Sequence, residues 1–166
     1  EAFLNPKLSD LLDPRLLPGA EAAAERIIAA IRDKKRIVIY GDYDVDGITA
    51  VAILHGCLKL LGGEVDYYVP HRLDEGYGIN AAALEKIIAE GAKLLITVDC
   101  GISDSESLGR ACAAGLEVIV TDHHSLPDRL PEVSAIVHPL LESYPNPHLS
   151  GAGVEIGRAS CRERVF

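Results

Sequence analysis

The sequence predicts an α/β fold, a parallel β-sheet of about five strands with helices on both faces. Three observations predict it. Short β-branched runs alternate along the chain with stretches of helical period. The runs are continuously apolar, as strands buried on both sides must be, whereas half-exposed strands alternate. Three of them end in Asp or in Asp-His-His, and right-handed crossovers put those ends along one edge of the sheet, where ligands bind.

The elements follow in order. Residues 8–12 fit a short helix, and Pro14 and Pro18 break the segment after it. Residues 21–32 carry Ala24, Ile27, Ile28 and Ile31 at helical spacing and form an amphipathic helix. The first core strand, 37–40, stops at Gly41, and Asp42, Asp44 and Asp46 follow at once. Residues 49–61 are almost wholly apolar and predict a buried helix ended by Gly62 and Gly63, with His55 packed in the core. A strand over 64–69 closes at Pro70. Asn80 caps a helix reaching about residue 90, with Gly91 as its stop. Residues 94–98 form another buried strand, followed by Asp99. Ser103 caps a helix over 103–114, which Gly115 stops. A strand over 116–121 runs into Asp122, His123 and His124, and a last short strand at 135–137 leads to His138 and Pro139.

Composition narrows the class. A chain of 166 residues, 48% apolar and 25% charged, is globular and of single-domain size, able to bury about 70% of its unfolded surface. No apolar run approaches the ~20 residues that span a bilayer, so no membrane partner is expected. Cys57, Cys100, Cys112 and Cys161 show no CxxC pairing, which points to a reducing, cytoplasmic setting, and Cys100 reads as a small core residue. The net charge of −9 excludes a broad basic face that wraps nucleic acid, but not a narrow metal-lined cleft gripping a few phosphates. Glu1 is no initiator, and residues 155–166 lack the period of what precedes them. The expected division is therefore a domain over 1–154, its N-terminal part, and a non-native tail over 155–166.

The acidic turn carries the chemistry. Two like charges 4 Å apart cost roughly 4 kcal/mol at an effective dielectric of 20, so a chain keeps such a cluster where a cation neutralises it or water screens it. Alone, Asp42, Asp44 and Asp46 read equally well as a solvated turn. Joined to Asp99 and to Asp122, His123 and His124 on the same edge, they read as a site for one or two divalent cations. Mixed oxygen and imidazole ligands suit Mn2+ or Mg2+, and a two-metal site activates water for in-line attack on phosphorus. A bridging carboxylate is expected, with Asp46 and Asp99 as candidates. Arg72 offers a bidentate partner for a phosphate and Tyr77 a face for a base. Ser150, Gly151, Ala152 and Gly153 offer backbone N–H groups to a phosphate at a helix start, although the helix itself is expected to be missing.

With G-D-Y-D-V-D-G, V-D-C-G, T-D-H-H and S-G-A-G-V in this order, and F-L-N-P-K-L-S-D-L and E-G-Y-G-I-N beside them, the chain resembles the DHH phosphoesterase superfamily over essentially residues 3–154. Within it the chain is most similar to the single-strand-specific exonucleases. The resemblance implies a DHH domain and Mn2+- or Mg2+-dependent 5′→3′ hydrolysis of single-stranded DNA in recombination and repair. It puts Asp44, Asp46, Asp99 and His123 on metal-ligand positions. Asp42, Asp122 and His124 become direct or supporting site residues. Arg72 and the turn from Ser150 to Gly153 fall on substrate-facing positions.

Family members continue past this turn with a helix, a further metal-binding Asp and a second domain. An isolated chain ending here is therefore expected to bind metal weakly and to show little processive activity. Contact with single-strand-binding protein would fall to that missing part. Two alternatives compete: a DHH phosphatase acting on oligonucleotides, cyclic dinucleotides or polyphosphate, and a non-catalytic DHH-fold module that binds nucleic acid. The early motif acids speak against the second.

Overall fold

A computed structural model describes residues 12–71 and 78–159, the last three by backbone alone. A one-turn 3-10 helix at Pro14–Leu16 precedes α1, Ala20–Arg32. The chain then runs through β1 (Ile37–Gly41), α2 (Val45–Leu60), β2 (Val65–Tyr68), α3 (Ala81–Ala89), β3 (Leu94–Val98), α4 (Ser105–Ala113), β4 (Glu117–Thr121), β5 (Ala135–Val137) and α5 (Gly151–Ala159). All five strands are parallel, in the order β2-β1-β3-β4-β5.

That order reverses between β1 and β3. The chain leaves β1 toward β2 on one side and returns to β3 on the other, so the crevice beyond their carboxyl ends is the place where such sheets bind ligands. Gly41 and Val98 are paired at those ends, directly before Asp42 and Asp99.

Both faces of the sheet are covered, and the period of two decides which residue faces where. Ile37, Ile39, Leu94, Ile96, Val98 and Ile119 pack with α1, α2 and α5. Val38, Tyr40, Leu95, Val118 and Val120 pack with α3 and α4. The continuous apolar runs are therefore split between two cores. Tyr40, buried on the second face, donates its hydroxyl to the Gly78 carbonyl at 3.1 Å and accepts the Asn80 amide at 3.0 Å. Asn80 in turn caps α3 through Ala83 N–H, as its position predicts. Cys100 is a core residue as expected, its Sγ 3.8 Å from the Tyr40 carbonyl.

Several expectations are corrected. Helix α2 begins at Val45, because Asp44 supplies the cap: its Oδ1 accepts the N–H groups of Asp46 and Gly47 at 2.9 Å each. Asp46 thus lies in a helical first turn. Nor is α2 buried all round; Ala50, Val51, Leu54 and Leu58 face the core while Val45 is 82% exposed. His55 is half-buried and meets the Tyr67 ring edge-on, with centroids 5.4 Å apart. Helix α4 starts after Asp104, so Ser103 is not its cap. The helix expected to be missing after the glycine turn is present as α5, running to Ala159, with Val154 and Glu155 buried. It packs closely against α2, which holds it in place. Residues 8–11, Arg72, Tyr77 and residues 160–166 lie outside the described residues. Among the described residues no helix is long and apolar enough to cross a membrane.

Candidate metal centre

Each acid sits where a strand or helix end presents it. Asp42 leaves β1 nearly buried, and its Oδ1 accepts the Tyr43 amide at 2.7 Å. Burial raises its pKa, the Tyr43 bond opposes that, and the neighbouring Asp44 charge adds to it. Asp44 is exposed and caps α2. Gly47 permits the sharp entry into that helix: a Cβ there would stand 2.6 Å from the Asp42 carbonyl oxygen.

Asp99 follows β3 and is 2% exposed. Its backbone is left-handed, φ 60°, a conformation Asp tolerates better than most residues, and its amide still donates to the Thr121 carbonyl at 3.0 Å. Burial, then repulsion from Asp46 and Asp44, pushes its pKa up to about 7. Its Oδ1 is buried and accepts no hydrogen bond, although it lies 2.9 Å from Nε2 of His123. A buried carboxylate oxygen this close to an imidazole nitrogen, without an aligned hydrogen bond, fits a shared cation.

Asp122, after β4, is spent inside the protein. Its Oδ1 accepts the His123 and His124 amides at 2.7 and 3.1 Å and lies 2.7 Å from His124 Nδ1. Its Oδ2 accepts the Ile102 amide at 3.0 Å. The imidazole of His124 therefore carries its proton on Nδ1, which leaves Nε2 as a lone pair. Burial works against protonation of His124, but the Asp122 hydrogen bond and charge overcome it and raise its pKa. The rings of His123 and His124 lie 4.6 Å apart.

Two groups of ligand atoms lie within 4.8 Å of one another: Asp99 with His123 and His124, and Asp42 with Asp44 and Asp99. Asp99 belongs to both. Asp46 belongs to neither. Its Oδ2 accepts the Gly151 amide and its Oδ1 the Ala152 amide, each at 2.8 Å, and Oδ2 stands 3.7 Å from His123 Nε2.

The glycine turn is also corrected. The amides of Gly151 and Ala152 go to Asp46, and that of Gly153 goes to Ser150 Oγ at 3.1 Å, so they are not turned toward a phosphate. An electron-rich carboxylate nearby claims the donors first. His138 was not singled out by its sequence. Fully buried after β5, it accepts the Leu140 amide on Nδ1 at 3.1 Å, and Nε2 donates to the His124 carbonyl at 2.9 Å. Burial lowers its pKa, so it stays neutral while it fixes the loop bearing both histidines. A histidine directly after the last strand is the only local signal of that role.

The model of the DHH family's N-terminal domain matches residues 36–162, most of the chain and every acid of this edge. The chain belongs to the DHH family. Its relatives include the single-stranded-DNA-specific exonuclease RecJ of Bacillus subtilis, 44% identical over 154 residues, a match covering 92% of this chain and 20% of RecJ. An exonuclease RecJ solved bound to manganese is 40% identical with a TM-score of 0.79, covering 90% of this chain and 38% of that one. RecJ of Thermus thermophilus, solved with Mn2+, is 35% identical with a TM-score of 0.77, covering 98% of this chain and 23% of that one. This DHH chain thus spans about a fifth of the Bacillus subtilis relative. The likeness bears out the five-stranded parallel DHH fold.

Proposed function

We propose that this chain carries the metal-binding face of a divalent-cation-dependent phosphodiesterase. Its activity is that of a 5′→3′ exonuclease on single-stranded DNA in recombination and repair. One observation supports it above the rest: the buried, unbonded Oδ1 of Asp99 amid imidazole nitrogens and carboxylates. Mixed oxygen and nitrogen donors fit Mn2+ or Mg2+, and relatives have been solved with Mn2+.

In this reading Asp99, His123 and His124 would hold one cation, and Asp42, Asp44 and Asp99 a second. Asp99, rather than Asp46, would serve both cations, because among the described residues it alone belongs to both groups. The chemistry such cations supply when bound is activation of water and neutralisation of phosphate charge. The protein's own part is orientation. Asp122 keeps His124 in the tautomer protonated on Nδ1, His138 holds the His124 carbonyl, and the α5 amides hold Asp46. Arg72 pairs with a phosphate and Tyr77 stacks on a base, on residue chemistry alone. A DNA substrate makes the cytoplasm the working compartment. Single-strand-binding protein is a partner of the full-length form.

The test uses a chain completed to the relatives' length, given single-stranded DNA labelled at either end, duplex DNA, or dinucleotides, with Mn2+. Release of nucleotides from the 5′ end of single strands, lost in Asp99→Ala, supports the proposal. Turnover confined to dinucleotides would redirect it to the phosphatase reading.

A further inference from the structure

We propose that Gly151 is a positioning residue of the cation site, through its missing side chain as much as through its amide. The inference rests on the metal reading above. Two contacts meet at this one residue. Its N–H, with that of Ala152, holds both oxygens of Asp46 at 2.8 Å. Its Cα face lies against Asp99, where an added Cβ would stand 2.6 Å from Oδ1, 2.7 Å from Cγ and 2.9 Å from Cβ.

These contacts join two strand tips through a third element. Asp46 comes from the start of α2 beyond β1, Asp99 from the end of β3, and Gly151 opens α5. The positive end of α5 favours a carboxylate at Asp46. The bare Cα leaves Asp99 Oδ1 buried yet without a donor, ready for a cation. A methyl group at 151 cannot be accommodated by rotating Asp99, because the clash reaches its Cβ as well as its oxygen. Either α5 withdraws, breaking the pair of amide bonds to Asp46, or Asp99 is driven off its present position. The first releases Asp46, which borders the site 3.7 Å from His123 Nε2, and the second moves Asp99 itself, while the sheet stays intact.

The experiment titrates Mn2+ into the chain by isothermal calorimetry, with melting in EDTA recorded alongside. Gly151→Ala is compared with Val154→Ala, which loosens the buried contact of α5 in the core and leaves the Gly151 amide and Cα unchanged. The expected result is a fall of at least tenfold in Mn2+ affinity for Gly151→Ala and less than twofold for Val154→Ala, even where the latter melts lower. Equal Mn2+ affinity in Gly151→Ala and wild type overturns the proposal. So does a loss in both variants that tracks melting temperature. Should Gly151→Ala fail to fold, Ala152→Pro deletes one donor to Asp46 within the first helical turn, where proline is tolerated. Unchanged affinity there overturns the proposal, and weakened affinity supports it. Absence of Mn2+ binding in the wild type counts against the metal reading itself and is distinguishable from these results.

Discussion

The Asp122 carboxylate holds His124 from two directions: its Oδ1 lies 2.7 Å from Nδ1 of the ring and accepts the His124 backbone amide at 3.1 Å. The same carboxylate ties the loop after β3 to the loop after β4 through Ile102. Asp122→Asn keeps the size and removes the charge. Its expected cost is about 1.5–3 kcal/mol of stability by urea denaturation, the range for hydrogen bonds to charged groups. Mn2+ affinity should fall by about 10–100-fold, as when the partner of a ligating histidine is lost. Calorimetric affinity equal to wild type would show that the tautomer of His124 does not matter.

Asp99 sets a pH dependence for the metal-free protein. Its pKa is raised from 3.8 to about 7, so the folded state binds this proton more tightly than the unfolded state. The group's contribution to stability therefore falls as pH rises from about 4 to about 7 and is level beyond. The raised pKa values of Asp42 and His124 act in the same direction. His138, lowered from 6.5, acts oppositely and loses stability as pH falls below 6.5. Comparison with Asp99→Asn in EDTA isolates the Asp99 part. Wild type should lose stability relative to the variant across that window, and parallel curves would contradict the assignment.

Gly47 is a matter of backbone space. A Cβ there meets the Asp42 carbonyl oxygen at 2.6 Å and its carbonyl carbon at 2.8 Å, neither of which can rotate away. Gly47→Ala should cost about 1–3 kcal/mol in chemical denaturation, the overpacking range. A neutral or stabilising result would mean that β1 and α2 are joined more loosely than described.

The fold was legible where one physical signal dominated. The strands 37–40 and 94–98 stand out because burial on both faces leaves no charged position in them. The convergence of Asp42, Asp99 and His123 was legible too, since parallel strands share one carboxyl edge. What escaped depends on partners far away in the chain. The Gly151 amide that holds Asp46 is 105 positions from it, and no local pattern records that pairing. The start of α2 was missed because a carboxylate read as a metal ligand, Asp44, also serves as a helix cap. Helix α5 was missed because residues from 155 onward read as a non-native tail, although the helix is amphipathic and packs against α2.

Tyr40 gives a test of the second core. Its hydroxyl bridges the Gly78 carbonyl and the Asn80 amide inside a fully buried site. Tyr40→Phe leaves both partners short of a bond and should cost about 1–3 kcal/mol by urea denaturation. The Mn2+ affinity of the variant should stay within about twofold of wild type, since the ring packs in the second core and its hydroxyl bonds to Gly78 and Asn80. A large loss of Mn2+ affinity would place Tyr40 in the site.

The most direct measurement is anomalous diffraction at the manganese edge from crystals soaked in Mn2+. The account predicts a peak within coordinating distance of Asp99 Oδ1 and an imidazole nitrogen of His123 or His124, absent in Asp99→Ala crystals. A map with no peak beside Asp99, or with manganese bound only at surface acids away from the β1 and β3 tips, would contradict it.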